Sequence, residues 1–443
     1  MLHRREFFNK TAGIVATAAA VPYFQTSSRA KAADAKNDRL NVAAIGVGGR
    51  GSMIARWASE LGDMVACCDV DRQHAERFAA AMGGKCDIYG DYRKLIERDD
   101  VDVVTIGTPD HWHVKIAIEA MKAGLDVYCE KPVSLTIDEG KLICKVVKQT
   151  RRVLQVGSDQ RSDRRILRGV ALARSGRLGK KLTARVGLPR YLTGGPFPTT
   201  EAPKHLDWDM WLGQTPAVPY CRERCHGLFR MWLEYSGGSL TDWGAHHVDV
   251  AMLGLGQENT GPVEIQGQGF LPDVPNGYNI AVDYTCTLKF ADGSTMIVSD
   301  DRDRGVLFEG ENGRFFINRN RLTGKPIEEL TESDQQWLAA EADKLSGGRN
   351  LPEVGGDKWQ VRYMQTISRD HMRNFFDCVK SRETPASDIF SHHRVLNCCH
   401  MCTIAIKLKR KLKWDPVEEG FIGDDEANAM LRREQREPYA IEI

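Results

Sequence analysis

From Leu40 onward, short apolar runs alternate with longer amphipathic stretches. Leu40-Asn41-Val42-Ala43-Ala44-Ile45 has the length and composition of a buried strand, and Met53, Ile54 and Trp57 follow it at helical spacing. Apolar runs return at Met64 to Cys68, Val101 to Gly107, Asp126 to Cys129 and Val153 to Gly157. Helical patterns fill the gaps at Val114 to Ala123 and Ile137 to Lys148. This alternation predicts a parallel, doubly wound sheet with ligands at the carboxyl ends of its strands. Beyond Gly157 the pattern changes. Val282, Tyr284, Cys286, Leu288 and Phe290 alternate with polar residues as in a half-buried strand, and Asp292-Gly293 and Asn312-Gly313 carry hairpin signals. The expected fold is α/β: a doubly wound domain over 38–158, then an α+β domain with a mostly antiparallel open sheet over 159–415. Met372, Phe375, Phe376 and Val379 predict a helix that packs back on the first domain. The polar tail, 416–443, reads as an arm across a neighbouring subunit or a mobile end.

The first apolar run ends in Gly46-Val47-Gly48-Gly49-Arg50-Gly51 and leads into a helix, which is the context G-x-G-x-x-G requires. Gly46 permits the tight turn, Gly48 admits a pyrophosphate close to the backbone, and Gly51 lets the helix pack closely. The next strand ends in Asp69, where a carboxylate would accept hydrogen bonds from an adenosine ribose. This predicts a Rossmann domain holding NAD. The negative charge of Asp69 disfavours the extra phosphate of NADP, although Arg72 is near enough in sequence to keep NADP open.

The 443 residues carry a formal net charge of +1, with basic and acidic residues interleaved. Blocks of like charge suited to nucleic acid are missing, so a small molecule is the expected partner. Arg4-Arg5 followed by Phe7-Phe8 and an uncharged, Ala-rich run from Thr11 to Tyr23 has the order of a signal peptide. It resembles a twin-arginine signal, with a small-x-small cleavage site at Ala30-Lys31-Ala32 and a leader of 1–32. The apolar run is shorter than the roughly 20 residues of a permanent anchor, so no stable membrane attachment is expected. The implied location is periplasmic. Twelve cysteines would suggest disulfides, but Cys67, Cys68, Cys129 and Cys286 sit in core-like strand positions. Cys221 with Cys225, and Cys398-Cys399 with Cys402, lack a second paired set for zinc and are read as core as well.

The reactive side chains lie at strand ends and in one later segment. Thr108-Pro109-Asp110-His111-Trp112-His113 and Glu130-Lys131-Pro132 each follow an apolar run. Asp242-Trp243-Gly244-Ala245-His246-His247-Val248-Asp249 places Asp242 and His246 at i and i+4 of a helix, facing one ligand. Oxidation of an alcohol needs a base for the hydroxyl proton and a charge beside it, and Lys131, Asp242 and His246 could supply both. His246, His247 and Asp249 cannot all face one ion from a helix, so no metal is expected. Trp208, Trp211, Arg230, Trp232 and Tyr235 would suit a carbohydrate pocket or, equally, an aromatic core. His111 and Trp112 read as pocket lining or as a turn cap and a core aromatic.

With these elements in this order, the chain from about Leu40 to Leu412 resembles the glucose-fructose oxidoreductase, inositol dehydrogenase and rhizopine-catabolism superfamily, Gfo/Idh/MocA. The resemblance implies catalytic roles for Lys131, Asp242 and His246. It implies cofactor contacts at Gly46, Gly48, Arg50, Gly51, Asp69, Thr108, Pro109, His113, Glu130 and Lys131. Arg230 is the expected substrate ligand, with Trp211 and His246 beside it, and the open sheet face is expected to cover the nicotinamide or pair subunits in a dimer or tetramer. The function so implied is NAD(P)-dependent oxidation or reduction of a sugar, polyol or sugar derivative. The alternative is a redox-neutral glycosidase or lyase with tightly held NAD, acting through transient oxidation at C3 and elimination. A non-catalytic sugar-binding relative would have no use for Lys131, Asp242 and His246 together.

Overall fold

The computed structural model describes residues 39–354 and 359–442, so the expected leader lies outside the described residues. Six strands make the first sheet: β1 Asn41–Ile45, β2 Asp63–Cys68, β3 Asp87–Tyr89, β4 Val103–Ile106, β5 Asp126–Cys129 and β6 Leu154–Val156. All are parallel, in the order β3-β2-β1-β4-β5-β6. Strands β4, β5 and β6 are buried along their whole length, which is why they read as continuous apolar runs. The chain winds one way from β1 to β3 and the other way from β4 to β6, and this reversal opens a crevice at the carboxyl ends of β1 and β4. Strand β3 escaped the sequence reading because its three residues, Asp-Ile-Tyr, are too few to set a period.

The second sheet has nine strands: β7 Thr183–Gly187, β8 Glu264–Phe270, β9 Val282–Lys289, β10 Thr295–Ser299, β11 Gly305–Gly310, β12 Gly313–Ile317, β13 Leu322–Thr323, β14 Leu412–Asp415 and β15 Gly420–Phe421. Only β7 with β10 is parallel. Both hairpin signals fall between paired strands, and Gly293 and Gly313 adopt φ of 86° and 144°, which a side chain would resist. The helices Arg164–Arg174, Gly244–Leu255 and Ile389–Leu408 bury one face around Val170, Met252, Leu288, Phe308 and Met401. Gln266 and Thr285 are exposed on the other face, which is open.

Several contacts bring this domain back to the first. Met372, Phe375, Phe376 and Val379, from the helix Trp359–Ser381, share a cluster with Ile54, Trp57 and Tyr128. An excursion between β7 and the helix Gly244–Leu255 reaches over the carboxyl ends of the first sheet. It is tied there by an Asp71–Leu206 bridge, with Arg72 N donating to His205 O at 2.9 Å and Asp207 N to Val70 O at 3.0 Å. The tail docks on its own chain: Lys115 donates to Ala440 O at 2.8 Å, and Asp209 holds both Arg436, at 2.6 Å, and the Tyr439 hydroxyl, at 2.8 Å. All twelve cysteines are free and buried, so the packing reading holds for Cys221, Cys225, Cys398, Cys399 and Cys402.

Candidate active site

Gly46 has a φ of 75°, and a Cβ at Gly51 would lie 1.8 Å from Gly46 O, so only glycine lets the helix start this close to the turn. That helix, Gly49–Leu61, has no side-chain cap and no acidic residue in its first turn, leaving its amino end suited to an anion. Asp69 closes the other side. Its carboxylate accepts from Val47 N and Asp71 N, both at 2.9 Å. Gly46, Gly48, Arg50, Asp69, Thr108 and Pro109 line a cavity of about 390 Å³ in the crevice. Thr108 Oγ1 is buried there without a protein partner. Uncapped amides for a pyrophosphate, a fixed carboxylate for a ribose and an unpaired hydroxyl fit a dinucleotide. Arg72 turns away to Glu76 at 2.6 Å, so the charge of Asp69 stands uncompensated by it, as NAD requires.

Two of the residues expected to contact the cofactor are also bound by protein partners. Glu130 accepts from Arg50 Nε at 2.8 Å, and a Cβ on Gly157 would strike its carboxylate. His113 is buried with Nδ1 against Pro132 O at 2.7 Å and Nε2 against Thr108 O at 3.0 Å. Both side chains are buried and neither lines the cavity. They fix the two strand-end loops relative to each other.

Just past β5, Lys131 meets the second domain. Its Nζ donates to Asp242 Oδ1 at 2.5 Å and to Asp242 O at 2.9 Å. The Tyr191 hydroxyl donates to Asp242 Oδ2, and Arg230 Nε stands 3.5 Å from Oδ1. Burial alone would raise the Asp242 pKa, but Lys131 and Arg230 outweigh it and hold the carboxyl well below the usual range. Asp242 is thus a permanent anion. Arg230 connects this cluster to the cavity, whose wall it forms in part.

His246 makes no hydrogen bond to that pair. The helix breaks at Trp243, between Ser239–Asp242 and Gly244–Leu255, and His246 Nε2 meets Arg319 Nη2 at 3.1 Å. A guanidinium only donates, so Nε2 carries the lone pair and Nδ1 the proton. Nδ1 is buried without a partner, and burial, Arg319 and Lys131 keep the ring neutral. Arg319 in turn pairs with Asp159 at 3.0 Å, and Asp159 lies 3.6 Å from Arg50, so a chain of charges joins His246 to the glycine helix. His247 Nδ1 turns to Gly187 O, and Asp249 takes Arg161 with both oxygens, so these three residues share no ligand position. Trp211 forms part of the cavity wall, but its ring stacks on Trp208 at 4.7 Å and is almost wholly buried, which makes it wall and not open platform. His111 and Trp112 both donate towards Trp211 O, at 2.9 and 3.1 Å.

Sequence reasoning passed over Tyr191, Arg319, Asp159 and Asp110. The first three stand in no motif. Asp110 follows Thr108-Pro109 and carried a usable signal, an acidic residue at a buried strand end.

Residues 40–158 match the family model described as "Oxidoreductase family, NAD-binding Rossmann fold", and residues 192–333 and 360–441 match "Oxidoreductase family, C-terminal alpha/beta domain", both of Gfo/Idh/MocA. The chain belongs to this family. Its first domain is therefore an NAD-binding Rossmann domain. A "Glycosyl hydrolase family 109 protein" of Shewanella pealeana is 31% identical over 157 residues, covering 33% of this chain and 34% of the relative. "Inositol 2-dehydrogenase 4" of Saccharopolyspora erythraea is 34% identical over 154 residues, covering 33% and 44%. The chain thus spans less than half the length of these curated relatives. The crystal structure of myo-inositol 2-dehydrogenase from Lactobacillus plantarum shares the fold, with a TM-score of 0.59, 20% identity, and coverage of 85% of this chain and 99% of that one.

Asp110 yields a pH test. It is buried, accepts from Ser236 Oγ at 2.6 Å, and burial pushes its pKa up to about 7 despite Arg230 and Ser236. A carboxyl raised in the fold contributes stability below its unfolded pKa of about 4, and that contribution is lost as the pH climbs towards 7. Urea unfolding at about pH 5 and about pH 8 should show a smaller loss for Asp110→Asn than for the unaltered protein. Equal losses would contradict the buried-acid assignment.

Proposed function

We propose that this protein is an NAD-dependent oxidoreductase of a sugar, polyol or sugar derivative. The observation that carries the reading is the Lys131–Asp242 pair, which sets an amine and a fixed carboxylate where the strand-end crevice meets the second domain. Bound NAD would supply the hydride acceptor. Lys131 Nζ, as the free amine, would contact the reacting hydroxyl and accept its proton as the hydride leaves, and Asp242 would orient the amine and balance the charge it gains. Arg230 would bind a further hydroxyl, and the unpaired Nδ1–H of His246 would donate to a substrate oxygen. The inositol dehydrogenase named among the relatives supports a polyol substrate.

A second reading is favoured by the glycosyl hydrolase relative: a redox-neutral cleavage in which the hydride returns to the substrate within one turnover. Export bears on the choice. We take Met1 to Ala32 as a twin-arginine signal directing a folded protein to the periplasm, where no free nicotinamide pool exists. The cofactor would then travel bound and stay bound. The open sheet face, with Gln266 and Thr285 outward, is the surface we assign to pairing of two copies.

Lys131→Ala should lower turnover about a hundred- to ten-thousand-fold, the usual contribution of a general acid or base, while NAD affinity by fluorescence titration stays near that of the unaltered protein. Unchanged turnover would remove Lys131 from the reaction. Protein purified from the periplasm without added nucleotide should release close to stoichiometric NAD on denaturation. An empty protein that turns over only with external NAD would contradict retention.

A further inference from the structure

Asp71, His74 and His226 bring one ligand atom each within 4.8 Å of one another, and among the described residues no other group of three His, Cys, Asp or Glu does so. We infer that these three residues form a binding site for a divalent transition metal of the zinc class, at the lip of the cofactor crevice. The sequence hid it. Asp71 and His74 open the helix Arg72–Ala81 in the first domain, whereas His226 comes from a short 3-10 segment of the excursion that covers it.

The spacing fits the chemistry. A tetrahedral ion with bonds of about 2.0–2.1 Å separates its ligand atoms by about 3.3 Å. His226 Nε2 lies 3.3 Å and His74 Nε2 3.8 Å from Asp71 Oδ2. His74 Nδ1 faces Asp69 Oδ2 at 3.5 Å, so the proton belongs on Nδ1 and the lone pair of Nε2 points into the group. A carboxylate behind a ligand histidine is the usual arrangement that fixes its tautomer and raises its basicity. The other oxygen of Asp71 is held by His205 Nδ1 at 3.0 Å, which leaves Oδ2 for the ion. The two imidazoles stand 4.7 Å apart between centroids. Two histidines and a carboxylate leave a fourth position for water, and imidazole with one carboxylate suits zinc better than calcium or magnesium.

The location gives the ion a purpose. His74 packs on the glycine turn, where a Cβ at Gly48 would come within 3.2 Å of its ring. His74 and His226 both line the cofactor cavity. An ion bound by both domains would therefore clamp the cover over the adenosine end of the crevice. Its binding depends only on residues of this chain, whatever the substrate.

The test strips the full-length mature protein with a chelator and titrates it with zinc alone at neutral pH, reading bound metal by elemental analysis and cobalt by its visible spectrum. One equivalent should bind, cobalt should give a tetrahedral spectrum, and acidification through the histidine range should release the ion. His226→Gln, whose side chain is 46% exposed and so is cheap to replace, should lose that equivalent. His74→Gln repeats the test on the other imidazole should the first variant fold poorly. No uptake by the unaltered protein, or full uptake by both folded variants, would overturn the site.

Discussion

The contact between Lys131 and Asp242 is the constraint on which the rest of the site depends. Lys131 leaves the end of β5 in the first domain, and Asp242 ends a short helix in the second. Neither element could present its charge alone. Both side chains are mostly out of water, with 14% and 9% of their surface exposed, and a lone charge at such depth costs several kcal/mol. Pairing offsets that cost only if the domains hold one relative position. The shared cluster of Ile54, Trp57, Tyr128, Phe375 and Phe376 supplies the rigid half of that alignment, and a buried phenylalanine of this kind is worth about 3–5 kcal/mol.

Charge is arranged in a second line behind the first. Glu130, Arg50, Asp159, Arg319 and His246 follow one another from the glycine helix to the second domain. Asp159 stays ionised although burial raises its pKa, because Arg319 and Arg50 act together against it. Burial, with Arg319 and Lys131, keeps His246 neutral, and its contact with Arg319 in that line sets the tautomer. A dinucleotide in the crevice would thus lie beside Arg50, whose partners extend to the residue proposed to touch the substrate. If His246 touches the substrate as proposed, these ion pairs would link its position to that of the cofactor.

Much of this was readable from the sequence where a local rule applies. The glycine turn and Asp69 are set by backbone geometry within one βα unit, so their spacing alone located them. The continuous apolar runs and the alternation in β9 gave the two sheets their class for the same reason. Roles that depend on contacts between distant segments were not readable. Tyr191 and Arg319 meet the site from loops without periodicity and Asp159 from a short 3-10 turn, and Glu130 and His113 carry a family pattern but also bind protein neighbours. The spacing of Asp242 and His246 crosses one residue outside the regular helix, Trp243, and the contact of His246 Nε2 with Arg319 was not legible because Arg319 comes from a distant segment. Asp71, His74 and His226 show the limit most clearly, since His226 joins the two residues of the first-domain helix only when one domain folds over the other.

If Lys131 and Asp242 act as one unit, their losses will not multiply. A double-mutant cycle on kcat/KM with Lys131→Met, Asp242→Asn and the combination measures this directly. The predicted result is a double variant about as impaired as the worse single one, because either change already dismantles the pair. A double variant whose loss equals the product of the two single losses would contradict the shared role of the two residues.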